Sequence, residues 1–174
     1  RFNDNDSAHL SRTPSSAGDK RTWTWSCWIK RANLGIEQEL LFCGPTASDL
    51  FQTQFSDDDT FRINDYNGSH QLLLVTDRVF RDPSAWYHLM IVFDTTQATS
   101  SDRAALYVNG QRETSFSTET YPSLNYEGRI NATTQHTIGE KWTNTSRYLD
   151  GYLAEIHFID GTALDATDFG EYND

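Results

Sequence analysis

Trp86-Tyr-His-Leu-Met-Ile-Val-Phe-Asp94 and Arg103-Ala-Ala-Leu-Tyr-Val-Asn-Gly-Gln-Arg-Glu-Thr114, the two halves of the stretch from Ser84 to Thr114, decide the fold. The first half is apolar on both alternations: Trp86, Met90 and Val92 share one face, and Tyr87, Leu89, Ile91 and Phe93 the other. A strand apolar on both faces is covered on both sides, so this one is central. The second half ends on Asn109-Gly110. Asn-Gly between two β-prone runs marks a type I′ hairpin, whose two central residues both need positive φ. The return strand then spans Gln111 to Phe116.

The rest of the chain repeats this grammar. Thr22–Lys30 alternates, placing Trp23, Trp25, Cys27 and Ile29 on a core face. By the same alternation Trp86 is a core residue with Trp23 and Trp25. Glu39–Cys43, Leu50–Phe55, Thr60–Asn64, Gln71–Val75, Gln135–Gly139 and Gly151–Asp160 read as further strands, with Asn67-Gly68 supplying a second tight turn. Arg1–Asp6 either precedes or forms a ragged first strand, with Ala8–Ser11 a short continuation, and Thr13–Asp19 reads as a loop. Ser117–Thr134 has no sustained period and carries Pro122 and Gly128, which reads as a long loop with room for function. Asp165–Phe169 offers at most one helical turn. Apolar residues never recur at helical spacing over a helical length, and no solenoid or propeller period is present. About a dozen short strands give an all-β, antiparallel β-sandwich of the jelly-roll kind.

Size and charge narrow the partners. The 174 residues, 37% of them hydrophobic, suffice for one core, so residues 1–174 read as a single domain. The chain begins without Met and stops without an end signal, which reads as a piece of a longer protein. Its 14 basic against 25 acidic residues leave a net charge of −11, which repels nucleic-acid backbones and anionic lipid surfaces. Nothing approaches the roughly 20 apolar residues of a membrane helix, and membrane insertion is not expected. If Thr22–Lys30 and Gln38–Cys43 formed a hairpin centred on Gly35, Cys27 would face Cys43, within reach of a disulfide. Two buried free thiols are the preferred reading, because two cysteines are too few for a disulfide framework.

At this point a resemblance enters. Trp23-Thr-Trp-Ser-Cys-Trp-Ile-Lys30, Trp86–Asp94, Leu106-Tyr-Val-Asn-Gly110, His136-Thr-Ile-Gly139 and Leu149-Asp-Gly-Tyr-Leu-Ala-Glu-Ile156, followed by Ala163-Leu164, resemble the successive strands of the concanavalin A-like lectin/glucanase superfamily. The likeness is to its laminin-G-like (LamG), pentraxin-related jelly rolls, and it covers nearly the whole chain in order. Leu10–Gly18, Lys20–Trp25, Phe93–Thr96 and Asp150–Gly161 are also similar to LamG-like modules of marine bacteriophage virion proteins, typically tail or fibre components. The resemblance implies adhesion to a host-surface polysaccharide from a virion or extracellular location, with neighbouring virion subunits as further partners. Assembly of virion subunits is the alternative role it implies.

The superfamily includes glucanases, which take their carboxyls from a Glu-x-Asp-x-Glu strand. Here Glu37-Gln-Glu39 is followed by Leu41 where a third acid belongs, and both glutamates sit at the expected hairpin end, where carboxylates are solvated. No nucleophile elbow and no phosphate loop are present, so no enzyme is expected. Calcium is the one ion the residues suit, since the superfamily often binds it and hard oxygen ligands are available in Asn3-Asp-Asn-Asp6 and Asp57-Asp58-Asp59. In LamG-like folds the first of these segments runs beside the last strand, so Asp4 or Asp6 would share an ion with groups near Asp150. Solvated acidic turns are the competing reading for both clusters. No other cofactor is expected.

Sugar binding needs aromatic faces for pyranose rings and planar polar groups for hydroxyls, held on loops. Glu140–Leu149 leaves the strand pattern while holding large aromatics. That makes Trp142 and Tyr148, with Asn144, Thr145 and Arg147, the first candidates, and Tyr121, Tyr126 and Tyr66 the second. Folding back over a sheet edge is the competing reading for Trp142 and Tyr148.

Overall fold

In the computed structural model, residues 1–143 and 147–170 are described. Twelve strands follow in order: β1 Leu10–Arg12, β2 Thr22–Arg31, β3 Gln38–Thr46, β4 Asp49–Phe55, β5 Thr60–Asn67, β6 His70–Val79, β7 Tyr87–Asp94, β8 Ala104–Val108, β9 Gln111–Arg112, β10 Phe116–Thr120, β11 His136–Ile138 and β12 Gly151–Asp160. They form a seven-stranded sheet, β1-β11-β3-β4-β5-β6-β10, and a five-stranded sheet, β12-β2-β7-β8-β9. Every pairing is antiparallel. The sandwich expected from the alternation is present.

β7 lies at the centre of its sheet, as its two apolar faces require. Leu89, Ile91 and Phe93 point between the sheets, where Phe93 stacks on Trp23 with ring centroids 5.1 Å apart. Trp23 also meets Phe51 of the opposite sheet edge-on at 5.5 Å. Each such ring, fully buried, contributes roughly 1.5–3 kcal/mol, and these aromatics join the two sheets into one core. Asn109 and Gly110 hold φ of 50° and 75°, which closes the β8–β9 hairpin as the dipeptide predicts.

Four expectations need correction, and one left open at the N-terminus is decided. β2 and β3 do not form a hairpin. β2 is flanked on both edges by β12 and β7, so the chain crosses to the other sheet before β3 begins. Cys27 and Cys43 therefore lie on opposite sheets, both buried as free thiols. The return strand from Gln111 stops at Arg112, and Phe116 starts β10 at the edge of the seven-stranded sheet, so the region from Ser117 is not all loop. At the N-terminus, Asp4–Asp6 is a 3-10 turn, and Phe2 makes only an isolated bridge to Gly151. Trp86 is not core: it precedes β7 and is 42% exposed. It does share a face with Met90 and Val92, but the described residues that cover that face leave it 42% exposed. The cover is the segment after β12, tied down where Thr24 Oγ1 donates to Thr162 O at 2.8 Å and accepts from Leu164 N at 3.0 Å. The segment ends in a 3-10 turn, Ala166–Asp168, as its length allows.

Candidate functional site

The site is built from the outward alternation of β3, β4 and β5. Register places Glu39 opposite Gln54 and Gln54 opposite Arg62; beside them, Phe42 lies opposite Gln52 and Gln52 opposite Asn64. Because Phe51, Phe55 and Ile63 face the core, these partners face outward and form a polar tract across three strands. Lying over the tract are the described parts of the connection after β11, residues 140–143 and 147–149. Its base is fixed: Gly139, at φ 83°, accepts from Leu149 N at 3.0 Å, Leu149 is buried, and Glu140 bridges Tyr148. Its outer part reaches back onto the sheet. Lys141 Nζ donates to Gln52 Oε1 at 2.7 Å, Arg147 Nη1 donates to Gln54 Oε1 at 3.2 Å, and a second Arg147 nitrogen pairs with Glu37. The Trp142 ring meets Phe42 edge-on at 6.2 Å.

Beneath this connection the chemistry is incomplete. Among the described residues, no hydrogen-bond partner of normal geometry meets the buried carboxylate oxygens of Glu39, Nε of Arg62, Nε1 of Trp142 or Oγ1 of Thr143, although the Thr53 backbone lies close enough to help lower the Glu39 pKa. Burial pushes the Glu39 carboxyl up to about 8; Lys141 and Arg147 pull it down only in part, and Glu37 adds to the rise. Burial also lowers the pKa of Lys141 and of Arg62. Glu39 is thus not the solvated carboxylate expected of a hairpin end.

A groove of about 610 Å³ opens beside the tract, lined by Asp4, Asn5, Ser7, Gly35, Ile36, Glu37, Asp57, Arg147 and Tyr148. The Arg147–Glu37 pair divides the groove from the covered tract. The structure therefore brings together Asp4 and Asp57 from the two acidic clusters with Arg147 and Tyr148 from the aromatic connection. Tyr148 Oη donates to Glu140 Oε1 at 3.3 Å. Asp4 Oδ1 is buried without a partner, while Oδ2 accepts from Asn33 Nδ2 at 3.3 Å. Burial, with Asp4 nearby, raises the pKa of Asp150.

The other candidates stand apart. Asp6 accepts from Asn3 Nδ2 at 2.6 Å, and Asp58 from Thr60 N and Oγ1 at 3.0 and 2.7 Å. Asp59 is spoken for: although desolvation pushes its pKa up, the Gly35 N–H, Arg81 and Arg31 hold it below the ordinary value. Among the described residues no three His, Cys, Asp or Glu side chains gather as a metal ion needs. Tyr126 donates to the buried Asp65 at 2.9 Å and Tyr121 to Glu119 at 3.1 Å, away from the tract. Tyr66 lies on the tract's own face, two residues beyond Asn64, with its hydroxyl on Gly68 O at 3.1 Å. Asn144 and Thr145 lie outside the described residues. Sequence reasoning missed Gln52, Gln54, Arg62 and the burial of Glu39. The available signal was the polar alternation against Phe51 and Phe55, which taken alone reads as a solvent face.

A laminin G family model, described as the concanavalin A-like lectin/glucanases superfamily, matches residues 3–168. No curated protein matches the chain. Among solved structures, the heptameric SAP-like pentraxin of Limulus polyphemus aligns at TM-score 0.62 and 17% identity, over 92% of this chain and 72% of that one. Mouse laminin α1 domains LG4-5 align at 0.62 and 11%, over 91% of this chain and 40% of that one. The CBM40 of Ruminococcus gnavus IT-sialidase, bound to α2,3-sialyllactose, aligns at 0.61 and 13%, over 95% and 99%.

Proposed function

This chain belongs to the concanavalin A-like lectin/glucanase superfamily, and on that premise we propose that it is a non-catalytic glycan-binding module whose ligand occupies the outer tract of the seven-stranded sheet. The observation that carries the reading is the set of unpaired buried polar atoms on Glu39, Arg62, Trp142 and Thr143. An unpaired buried polar group costs about 1–3 kcal/mol, and a hydroxyl-rich ligand supplies both donors and acceptors to such a set. In this reading the ligand enters from the groove, displacing Lys141 and Arg147 from Gln52, Gln54 and Glu37. The indole of Trp142 then offers a face to a sugar ring. The sialyllactose-bound CBM40 supports the ligand class through the shared fold.

Hydrolysis is disfavoured because the glucanase strand pattern is incomplete: Leu41, a core residue, stands where the third acid belongs. For calcium the described residues offer one place, Asp4 beside Asp150. Two carboxylates fall short of a full set, so backbone oxygens or water would complete it. A melting temperature unchanged by calcium or chelator would remove the ion from this reading. The parent protein we place in a virion tail or fibre, or outside a cell, on the resemblance of Leu10–Gly18 and Asp150–Gly161 to phage modules.

A glycan array probed with the wild-type chain and with Trp142→Ala tests the proposal. Retention of at least one glycan that falls about tenfold or more in the variant, equivalent to 1.4 kcal/mol, is expected. No retained glycan, or equal retention by both proteins, counts against it. Self-assembly is the second reading. It is favoured by β12, which beyond the Phe2 bridge at Gly151 has no strand on its outer edge among the described residues and exposes Tyr152 and Phe158. A concentration-dependent oligomer abolished by a charge at Tyr152 would support it.

A further inference from the structure

We infer a second ligand site, for a neutral pyranoside, on the outer face of the five-stranded sheet at its Trp28–Trp86 end. The inference takes only its ligand class from the function proposed above. Register puts Trp28 directly opposite His88, with ring centroids 5.2 Å apart, and Trp86 lies two residues before His88 on the same face, so the two indoles sit diagonally about the imidazole. They are 38% and 42% exposed, an unusual cost for two of the five tryptophans in the chain unless something covers them. Phe169, from the segment after β12, approaches His88 with centroids 6.1 Å apart, and the Asn109-Gly110 turn borders the opposite side. Together they enclose a cleft of about 420 Å³, within the roughly 300–1,000 Å³ usual for small-ligand sites.

The polar groups of the cleft are fixed in place. His88 Nε2 is held against Ser26 Oγ at 2.7 Å, while no partner among the described residues takes Nδ1. Desolvation by burial, with His157 nearby, lowers the His88 pKa and keeps the ring neutral. Asn109 Oδ1 accepts from His88 N at 2.8 Å, which pins the turn to the floor of the cleft. Among the described residues, the lining includes no Lys, Arg, Asp or Glu. Without a cation in the lining, and with a net charge of −11 on the chain, an acidic sugar finds nothing to offset repulsion. A neutral ring suits it: aliphatic C–H groups lie on an indole face, and hydroxyls reach the imidazole nitrogen. The outer tract, with Arg62, Lys141 and Arg147, is chemically unlike this cleft, so the two sites take different sugars.

Indole N–H cross-peaks in 15N–1H spectra separate the two sites, since Trp28, Trp86 and Trp142 report individually. The probes are cellobiose and N,N′-diacetylchitobiose for the cleft, and 3′-sialyllactose for the tract. A neutral disaccharide is expected to move the Trp28 and Trp86 peaks and leave Trp142 in place, with affinity falling about tenfold or more in Trp86→Ala. Trp28→Phe, which keeps an aromatic ring of smaller face, is expected to lose less. Unmoved Trp23 and Trp25 peaks in both variants verify that the core is intact. If neither neutral probe moves Trp28 and Trp86, or if the shifts persist in Trp86→Ala, the second site is refuted. In that case movement of Trp142 by sialyllactose leaves the first site standing, and the converse pattern refutes the first and keeps the second.

Discussion

Replacing Glu39 with Gln tests how the covered tract is held. The carboxyl titrates at about 8 in the folded chain, against an ordinary 4.5, so the native state binds its proton more tightly than the unfolded state does. For an acid shifted upward, the stability contribution is complete below the unfolded value and is lost as pH climbs through the folded one. At 1.36 kcal/mol per tenfold change in proton affinity, the whole titration is about 5 kcal/mol, of which about 2–3 kcal/mol falls between pH 6 and 8.5. Glu39→Gln keeps the shape of the neutral acid and removes the titration. Chemical unfolding of both proteins at pH 6, 7 and 8.5 is the assay. Wild type is expected to lose about 2–3 kcal/mol more than the variant across that range, or about 5–10 °C in melting temperature for a chain of this size. Titrating groups that do not interact with Glu39, including Asp65 at about 6, are common to both proteins and cancel in the difference. Parallel pH profiles would refute the reasoning, because they would mean that Glu39 is solvated.

Asp59→Ala strands the buried Arg31, which keeps only Phe80 O at 2.7 Å and the Phe55 ring at 4.3 Å. The expected loss is about 3–5 kcal/mol in equilibrium unfolding, and a loss under about 1 kcal/mol would contradict the pairing. A Cβ on Gly151 would sit 2.4 Å from the backbone oxygen of Lys30, so Gly151→Ala must push β12 away from β2 at about 1–3 kcal/mol. Gly68→Ala meets no atom within 4 Å and suffers only its φ of 70°, at about 1 kcal/mol, so the order of the two melting temperatures checks the packing. Cys27 and Cys43 are expected to resist a thiol reagent until the chain unfolds, with intact mass unchanged by reductant. A two-proton mass gain on reduction would contradict their placement on opposite sheets.

Much of the fold was legible because burial imposes a period on the sequence. Trp23, Trp25, Cys27 and Ile29, or Leu89, Ile91 and Phe93, announce inward faces, and Asn109-Gly110 announces its turn. Partner choice leaves no such mark. β2 and β3 are neighbours in sequence, yet β2 spends both edges on β7 and β12, the latter more than a hundred residues away, so the apparent hairpin dissolves. The misreading of Glu39 follows directly, because its burial comes from Lys141 and Arg147 folding over β3 rather than from anything near position 39. Trp86 fails in the opposite sense: alternation gives its face, but the cover on that face comes from a distant segment after β12 whose described residues leave it half open. For the site, Arg147, Trp142 and Tyr148 were visible as polar and aromatic residues off the strand pattern. Their counterparts Gln52, Gln54 and Arg62 read as a solvent face until a distant connection closes over them. Tyr121 and Tyr126 were named for the region they occupy, and their hydroxyls turn to Glu119 and Asp65 instead.

The central claim is that sugar hydroxyls complete the unpaired polar set on the outer sheet face. Its most direct test is the side-chain 15N–1H spectrum of the wild-type chain saturated with the best-retained glycan of the array. The Trp142 indole N–H and the Arg62 Nε–H are expected to shift together as both gain hydrogen-bond partners. A glycan that binds while leaving both signals where they were would contradict the account.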